Sequence, residues 1–170
     1  FREAEMNRGT VIRNTCMLAM ILAFLLPTTT WADPVGEMLP LSESGEAMLA
    51  MAGGSIEDEA AKIPSKEVVG LPVYPGAYYT ATFGGEGMLP SVIMAASDPV
   101  EKVKAWYEGQ EGLTWSDMFG LFYVGDEYKM MVTESVFLQD ISADPSNSTG
   151  GLGGFDMSGM KTQITISYEP

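Results

Sequence analysis

The chain has 170 residues and carries 23 acidic residues against nine basic ones, a net charge of −14, with no histidine and a single cysteine, Cys16. Such a surface repels polyanions, which excludes nucleic acid and anionic lipid as partners. Without histidine, and with its one thiol in an apolar run near the start, the chain has no imidazole- or thiol-activated nucleophile and no ordinary zinc or haem ligand set.

Residues 1–32 read as a targeting segment rather than as fold. Met6 reads as the start. Arg8 and Arg13 supply a positive region, CMLAMILAFLL at 16–26 an eleven-residue apolar run, and Thr30-Trp31-Ala32 small residues at −3 and −1. This pattern predicts a signal peptide cut after Ala32 and a periplasmic or secreted location. The run falls short of the roughly 20 apolar residues of a bilayer span, so no membrane association is expected after cleavage. Cys16 opens the run instead of following it, unlike a lipid-modified cysteine. Residues 33–170 then hold six lysines, no arginine, no cysteine and 21 acids, a balance of −15.

Residues 33–67 contain no aromatic side chain and are rich in Gly, Ser, Ala, Met and acid. They read as a flexible acidic leader with two marginal helices. One covers 46–52 and stops at Gly53-Gly54. The other covers 55–63, with Ser55 as cap and Ile56, Ala60 and Ile63 at i, i+4 and i+7. Isolated helices this short are unstable in water, so few contacts with the rest of the chain are expected. A docking segment that folds on a partner is the alternative.

At Val68 the composition changes. LPVYPG at 71–76 is extended and then turns, with Pro75 and Gly76 suited to the centre of a type II turn. AYYTATF at 77–83 alternates as a strand, placing Tyr79, Ala81 and Phe83 on one face. A glycine-rich hairpin loop at 84–87 leads to a second strand at 89–96. DPVEKVKAWYEGQEGL at 98–113 is the clearest helix. Asp98 is placed to cap the N–H of Glu101, Pro99 sits at N1, and Val100, Val103 and Tyr107 form an apolar stripe flanked by Trp106. Gly109 and Gly112 offer the stop. Strands are expected at 113–115, 119–124 and 128–138, the last two joined by a Gly125-Asp126 turn, with Tyr128, Met130, Val132, Val136 and Leu138 on one face. Residues 140–160 read as an irregular loop. KTQITISY at 161–168 closes as a strand with Ile164, Ile166 and Tyr168 together. The expected fold class is α+β: an antiparallel sheet of about five to six strands with one main helix on one face. The division is 1–32 signal peptide with upstream residues, 33–67 leader and 68–170 domain.

Several short motifs recur in this reading: P-x-Y-P-G-A at 72–77, D-x-x-E-K-V-x-x-W-Y at 98–107, G-L-x-W at 112–115 and T-x-I-x-I at 162–166. Their combination resembles a domain of uncharacterised bacterial exported proteins, over residues 68–170. The resemblance implies an export-associated α+β fold and no known activity.

Candidate chemistry is sparse. Ser65 and Lys66 adjoin, but no S-x-x-K spacing follows Ala32. Oxygen ligands for calcium cluster at Asp140, Asp144 and Asn147 without the D-x-D-x-D-G pattern. Met157 and Met160 lie close enough in a loop to share a soft metal such as Cu(I). Gly150-Gly151-Leu152-Gly153-Gly154 lacks the Lys-Ser/Thr of a phosphate loop. Trp106, beside the stripe, and Phe155, in the loop, are candidate interaction residues. The composition favours a non-enzymatic binding or accessory module with no cofactor and a protein or small-molecule partner. A carboxylate-only hydrolase acting on saccharide or cell-wall material and a Met/acid metal-binding protein are the alternatives.

Overall fold

Strand-forming side chains dominate 78–83, 91–96, 113–116, 121–124, 135–140 and 162–167. In the structure, a computed structural model that describes residues 33–84, 88–125, 134–143 and 154–169, they pair into one six-stranded antiparallel sheet. The described residues belong to one compact unit, Ala32–Pro170. The strands are β1 (Tyr78–Phe83), β2 (Ser91–Ala96), β3 (Leu113–Ser116), β4 (Leu121–Val124), β5 (Ser135–Asp140) and β6 (Thr162–Ser167), in the spatial order β1-β2-β6-β5-β4-β3. The helices are α1 (Glu43–Met51), α2 (Ile56–Ala60), α3 (Lys66–Val69) and α4 (Val100–Glu108). The fold is therefore α+β, as the element pattern predicts.

The core lies between α4 and one face of the sheet. A single row of side chains crosses five strands: Val92 opposite Ile166, Ile166 opposite Val136, Val136 opposite Phe122, and Phe122 opposite Trp115. Met94, Ile164 and Leu138 form the next row. Val103 and Tyr107 of α4 press into this surface and are 0% exposed. The other face carries Ser91, Gln163, Thr165 and Ser167, with Phe137 partly open to solvent at 41%. Alternation of apolar and polar residues on β6 thus places its two sides as expected.

Two local expectations are corrected. Alternation in 77–83 predicts Tyr79, Ala81 and Phe83 on one face. Instead the register shifts between Tyr79 and Ala81, so Tyr79 opposes Met94, Ala81 opposes Ile93 and Thr82 opposes Val92. Thr80 is the extra residue of a bulge, its hydroxyl donating to the Ile93 carbonyl at 3.0 Å, and every side chain after it changes face. The second correction is the helix start. Pro99 occupies the cap position of α4 with extended backbone and no side-chain cap, and Lys102 and Val103 donate to its carbonyl. The Asp98 carboxylate is engaged elsewhere. The turn before β1 forms as expected: Ala77 N–H donates to Tyr74 O at 3.1 Å, and Gly76 takes φ of 76°, the conformation position i+2 of a type II turn requires.

The expectation of few contacts for 33–67 is also corrected. Val35, Leu39 and Val69 are buried in this unit. Leu39 N–H donates to Tyr79 O at 2.8 Å and Tyr79 N–H to Glu37 O at 2.7 Å, which extends the sheet beyond β1. Val35 N–H reaches Pro64 O at 3.0 Å, and Lys66 N–H reaches Asp33 O at 2.8 Å. α1 begins earlier than its periodicity suggests, because Ser42 caps it by accepting the N–H of Gly45 at 3.2 Å. Ser55 caps α2 as expected, accepting from Asp58 at 3.1 Å. The short helices persist because their ends are capped and the chain around them is bonded to the sheet edge.

Of the loop at 140–160, residues 144–153 lie outside the described residues, as do Tyr128, Met130 and Val132 of the expected long strand. Residues 154–160 form no regular strand. A large-to-small change in the core row gives the first test. Ile166→Ala should cost about 2–5 kcal/mol. In urea it should lower the midpoint and leave the slope unchanged.

Candidate functional site

Most of the motif residues singled out above meet in one place. Tyr74 O–H donates to Asp98 Oδ2 at 2.8 Å, Lys102 Nζ donates to Asp98 Oδ1 at 2.9 Å, and Thr162 Oγ1 donates to the Asp98 carbonyl at 2.7 Å. The Tyr74 ring meets Trp106 edge-on at 5.4 Å, and Trp106 meets Tyr107 edge-on at 4.8 Å. Tyr107 packs on Phe122 at 5.6 Å, and Phe122 on Trp115 at 4.9 Å. Lys104 covers the Trp115 ring at 4.0 Å. Lys102 and then Tyr74 hold the Asp98 carboxyl below the usual range. Burial first, and then Asp98, raises the Tyr74 phenol. Burial drives the Tyr107 phenol far upward; its hydroxyl has no well-formed hydrogen bond, although the Tyr74 backbone approaches it. These groups are neutral or paired, and they hold fold elements together. Trp106, half-buried between two tyrosines, belongs to this cluster.

The other candidates are placed as follows. Asp140 ends β5, exposed, and accepts the Ser142 N–H at 2.8 Å; the Ser142 hydroxyl first, and then this N–H, lower its pKa. Asp144 lies outside the described residues. Met157 and Met160 close a turn, with Met160 N–H donating to Met157 O at 3.0 Å, and both are half-buried. Among the described residues, no three His, Cys, Asp or Glu side chains gather as a metal site would need. Ser65 caps α3 by accepting from Val68 at 3.3 Å, while Lys66 pairs with Asp33 at 2.7 Å, so these neighbours serve different structural ends. Among the described residues, the carboxylates whose ionisation their surroundings move, Asp98, Asp140 and Asp156, are all pulled down. A general acid needs the opposite.

Phe155 leads to a different feature. Leu41 bridges Phe155, Ser42 N–H donates to Gly154 O at 2.6 Å, and Asp156 N–H donates to Pro40 O at 2.7 Å. These bonds fasten the end of the loop to the start of α1. Gly45 sits in this contact with so little room that a Cβ there would collide with the Gly154 carbonyl. The segments fold over the exposed end of β1 and leave a cavity of about 410 Å³. Tyr79 to Thr82 line it from the sheet, Leu41, Met48 and Leu49 from α1 and its approach, and Phe155 from the loop. Glu59 and Lys62, an ion pair on and after α2, also line it. A second hollow of about 480 Å³ lies between Gly36-Glu37 and the turn at Pro75-Gly76, with Lys66 at its wall. The first is the more apolar, with a few convergent polar groups, the usual character of a small-molecule site.

Sequence reasoning found Phe155 but missed Leu41, Met48, Leu49 and Lys62. The signal available was the Ser42 cap followed by Gly45 and the Met48-Leu49 pair. Nothing local indicated that this helix would lie against β1. Among the described residues, no helix is long and apolar enough to cross a membrane. Comparison with protein-family models, curated proteins and solved structures finds nothing that matches this chain.

The Asp98 cluster makes a pH prediction. A carboxylate with a depressed folded-state pKa stabilises the fold fully above its unfolded value, near 4, and loses that contribution as pH falls through the folded value. Asp98→Asn should therefore flatten the acid limb of the melting-temperature curve between about pH 2 and pH 5. Asp140 and Asp156 should retain the remaining slope. An acid limb as steep as that of the unsubstituted chain would remove Asp98 from this role.

Proposed function

We propose that this chain is an exported, non-enzymatic binding module and that the cavity between α1, α2 and β1 is its binding site. One observation carries the second part: a concave space of about 410 Å³ with a largely apolar wall and a charged pair on α2 and just after it. That volume falls within the range of ordinary ligand pockets, about 300–1,000 Å³. The non-enzymatic reading is supported by the use of the motif residues as fold contacts and by the downward shifts of Asp98, Asp140 and Asp156. The export reading is supported by the basic region, the apolar run and the Thr30-Trp31-Ala32 site. Absence of arginine after that site and a balance of −15 are compatible with an exported, solvated surface.

Two experiments test these readings separately. N-phenyl-1-naphthylamine brightens in apolar surroundings. It should bind the purified chain saturably at one site. Leu41→Trp or Thr82→Trp, which fill the cavity from opposite walls, should weaken it at least about tenfold, a loss of about 1.4 kcal/mol. Binding that is absent, or undiminished in both variants, overturns the cavity as the site. For export, expression in a bacterial host with an outer membrane should yield a periplasmic or secreted product. Its mass should begin at Asp33. An uncut product retained in the membrane overturns that part.

A further inference from the structure

The cavity is chemically asymmetric, and the asymmetry bears on what fills it. Met38, Leu41, Met48, Leu49 and Phe155 supply only apolar surface. The polar groups are Glu59, Lys62, Tyr79, Thr80 and Thr82. Thr80 is occupied, since its hydroxyl donates to the Ile93 carbonyl. Thr82 Oγ1 donates to the Tyr79 hydroxyl oxygen at 3.1 Å. That bond uses a lone pair of Tyr79, and a phenol also carries one O–H that can donate. Tyr79 is 6% exposed, so its hydroxyl is a donor set in a largely buried side chain on the cavity wall. A ligand acceptor that reaches this hydroxyl would gain a hydrogen bond in surroundings of low dielectric.

Lys62 adds a second donor. Its ammonium has three N–H groups, of which the Glu59 carboxylate takes one, and its side chain is 61% exposed. Lys62 and Tyr79 line the same cavity. Among the described residues, Lys62 is the one cation in the lining. Glu59, the one acid there among the described residues, is already bound to Lys62. The deep polar group is therefore a donor, and the cation beside it has donors to spare. A cationic head group could use neither. A volume of about 410 Å³ lies toward the small end of ordinary ligand pockets, which suits a chain of medium length.

Resting on the reading of this cavity as the binding site, we infer that its ligand is an amphiphile with a medium-length apolar chain and a carboxylate head, the chain lying along Leu41, Leu49 and Phe155 and the head meeting Lys62 and the Tyr79 hydroxyl. The apolar chain supplies the driving force by burial. The head sets the orientation through charge-assisted hydrogen bonds. The chain's overall negative charge disfavours free anions at long range, so selectivity for the carboxylate depends on Lys62 itself.

The test is displacement of N-phenyl-1-naphthylamine by three molecules that share a twelve-carbon chain: laurate, dodecylamine and 1-dodecanol. Laurate should compete at least about tenfold better than dodecylamine, the size expected for one charge-assisted bond. Lys62→Gln should weaken laurate about tenfold and leave 1-dodecanol within about twofold. Tyr79→Phe, which keeps the buried ring, should weaken laurate and 1-dodecanol while sparing the probe. Equal competition by laurate and dodecylamine, or equal losses for all three molecules in Lys62→Gln, overturns the carboxylate head and leaves the cavity standing. If neither the probe nor laurate binds, by fluorescence or by calorimetry, the cavity reading falls, and this inference falls with it.

Discussion

Asp98 joins three stretches of chain that are far apart in sequence: the turn at 74–77, the first turn of α4 and the start of β6. Its carboxylate takes Tyr74 and Lys102, and its carbonyl takes Thr162. The Lys102 pair is solvent-exposed and contributes little by itself. The consequence is geometric. With Tyr74 held on Asp98, its ring meets Trp106, and the aromatic contacts continue through Tyr107 and Phe122 to Trp115. Each aromatic pair is worth about 0.5–1.5 kcal/mol beyond burial. Placement of α4 on the sheet depends on this chain of rings, and Asp98 sets where the chain begins.

The strand order explains why α4 must cross the sheet. The chain leaves β2 and resumes at β3, on the far edge, with β6, β5 and β4 between them. Four inter-strand spacings cover about 19 Å. The nine residues of α4 rise about 14 Å, and the short segments on either side supply the remainder. The chain then returns strand by strand, and β6 enters between β5 and β2. The central row of the core is complete only when this last strand is in place. Such non-local pairing is characteristic of slowly folding sheets.

The leader and the cavity are one structural problem with one solution. β1 is the edge of the named sheet, and a bare edge invites pairing with other chains. Residues 37–39 cover part of it through two backbone bonds at Tyr79. Beyond Tyr79 the bulge at Thr80 turns the strand, and residues 40–42 pair with 154–156 instead. The divergence of these two coverings over the end of β1 is what leaves the hollow. Its polar groups, Tyr79 and Thr82, face inward because the bulge shifts Thr82 onto the same side as Tyr79.

The α+β class, the stripe of α4, the inward faces of β5 and β6, and the turn at Pro75-Gly76 were legible in the sequence. In each case the determining physics is local: a 3.6- or two-residue period, or a backbone angle that glycine supplies. The sequence alone also bounded the chemistry, since a chain without histidine and with one early cysteine has few nucleophiles or soft-metal sites. Other features required the tertiary structure. The bulge at Thr80 breaks an alternation that looks regular, because it depends on how β2 pairs with it. Asp98 abandons its expected cap because Tyr74, 24 residues earlier, offers a partner that no local pattern contains. Residues 33–67 look loose because they hold no aromatic side chain and only short helical patterns, unstable in isolation. Val35, Leu39 and Leu41 acquire a core only from the edge of β1 and from Phe155, so the cavity they help enclose was decided by long-range backbone pairing.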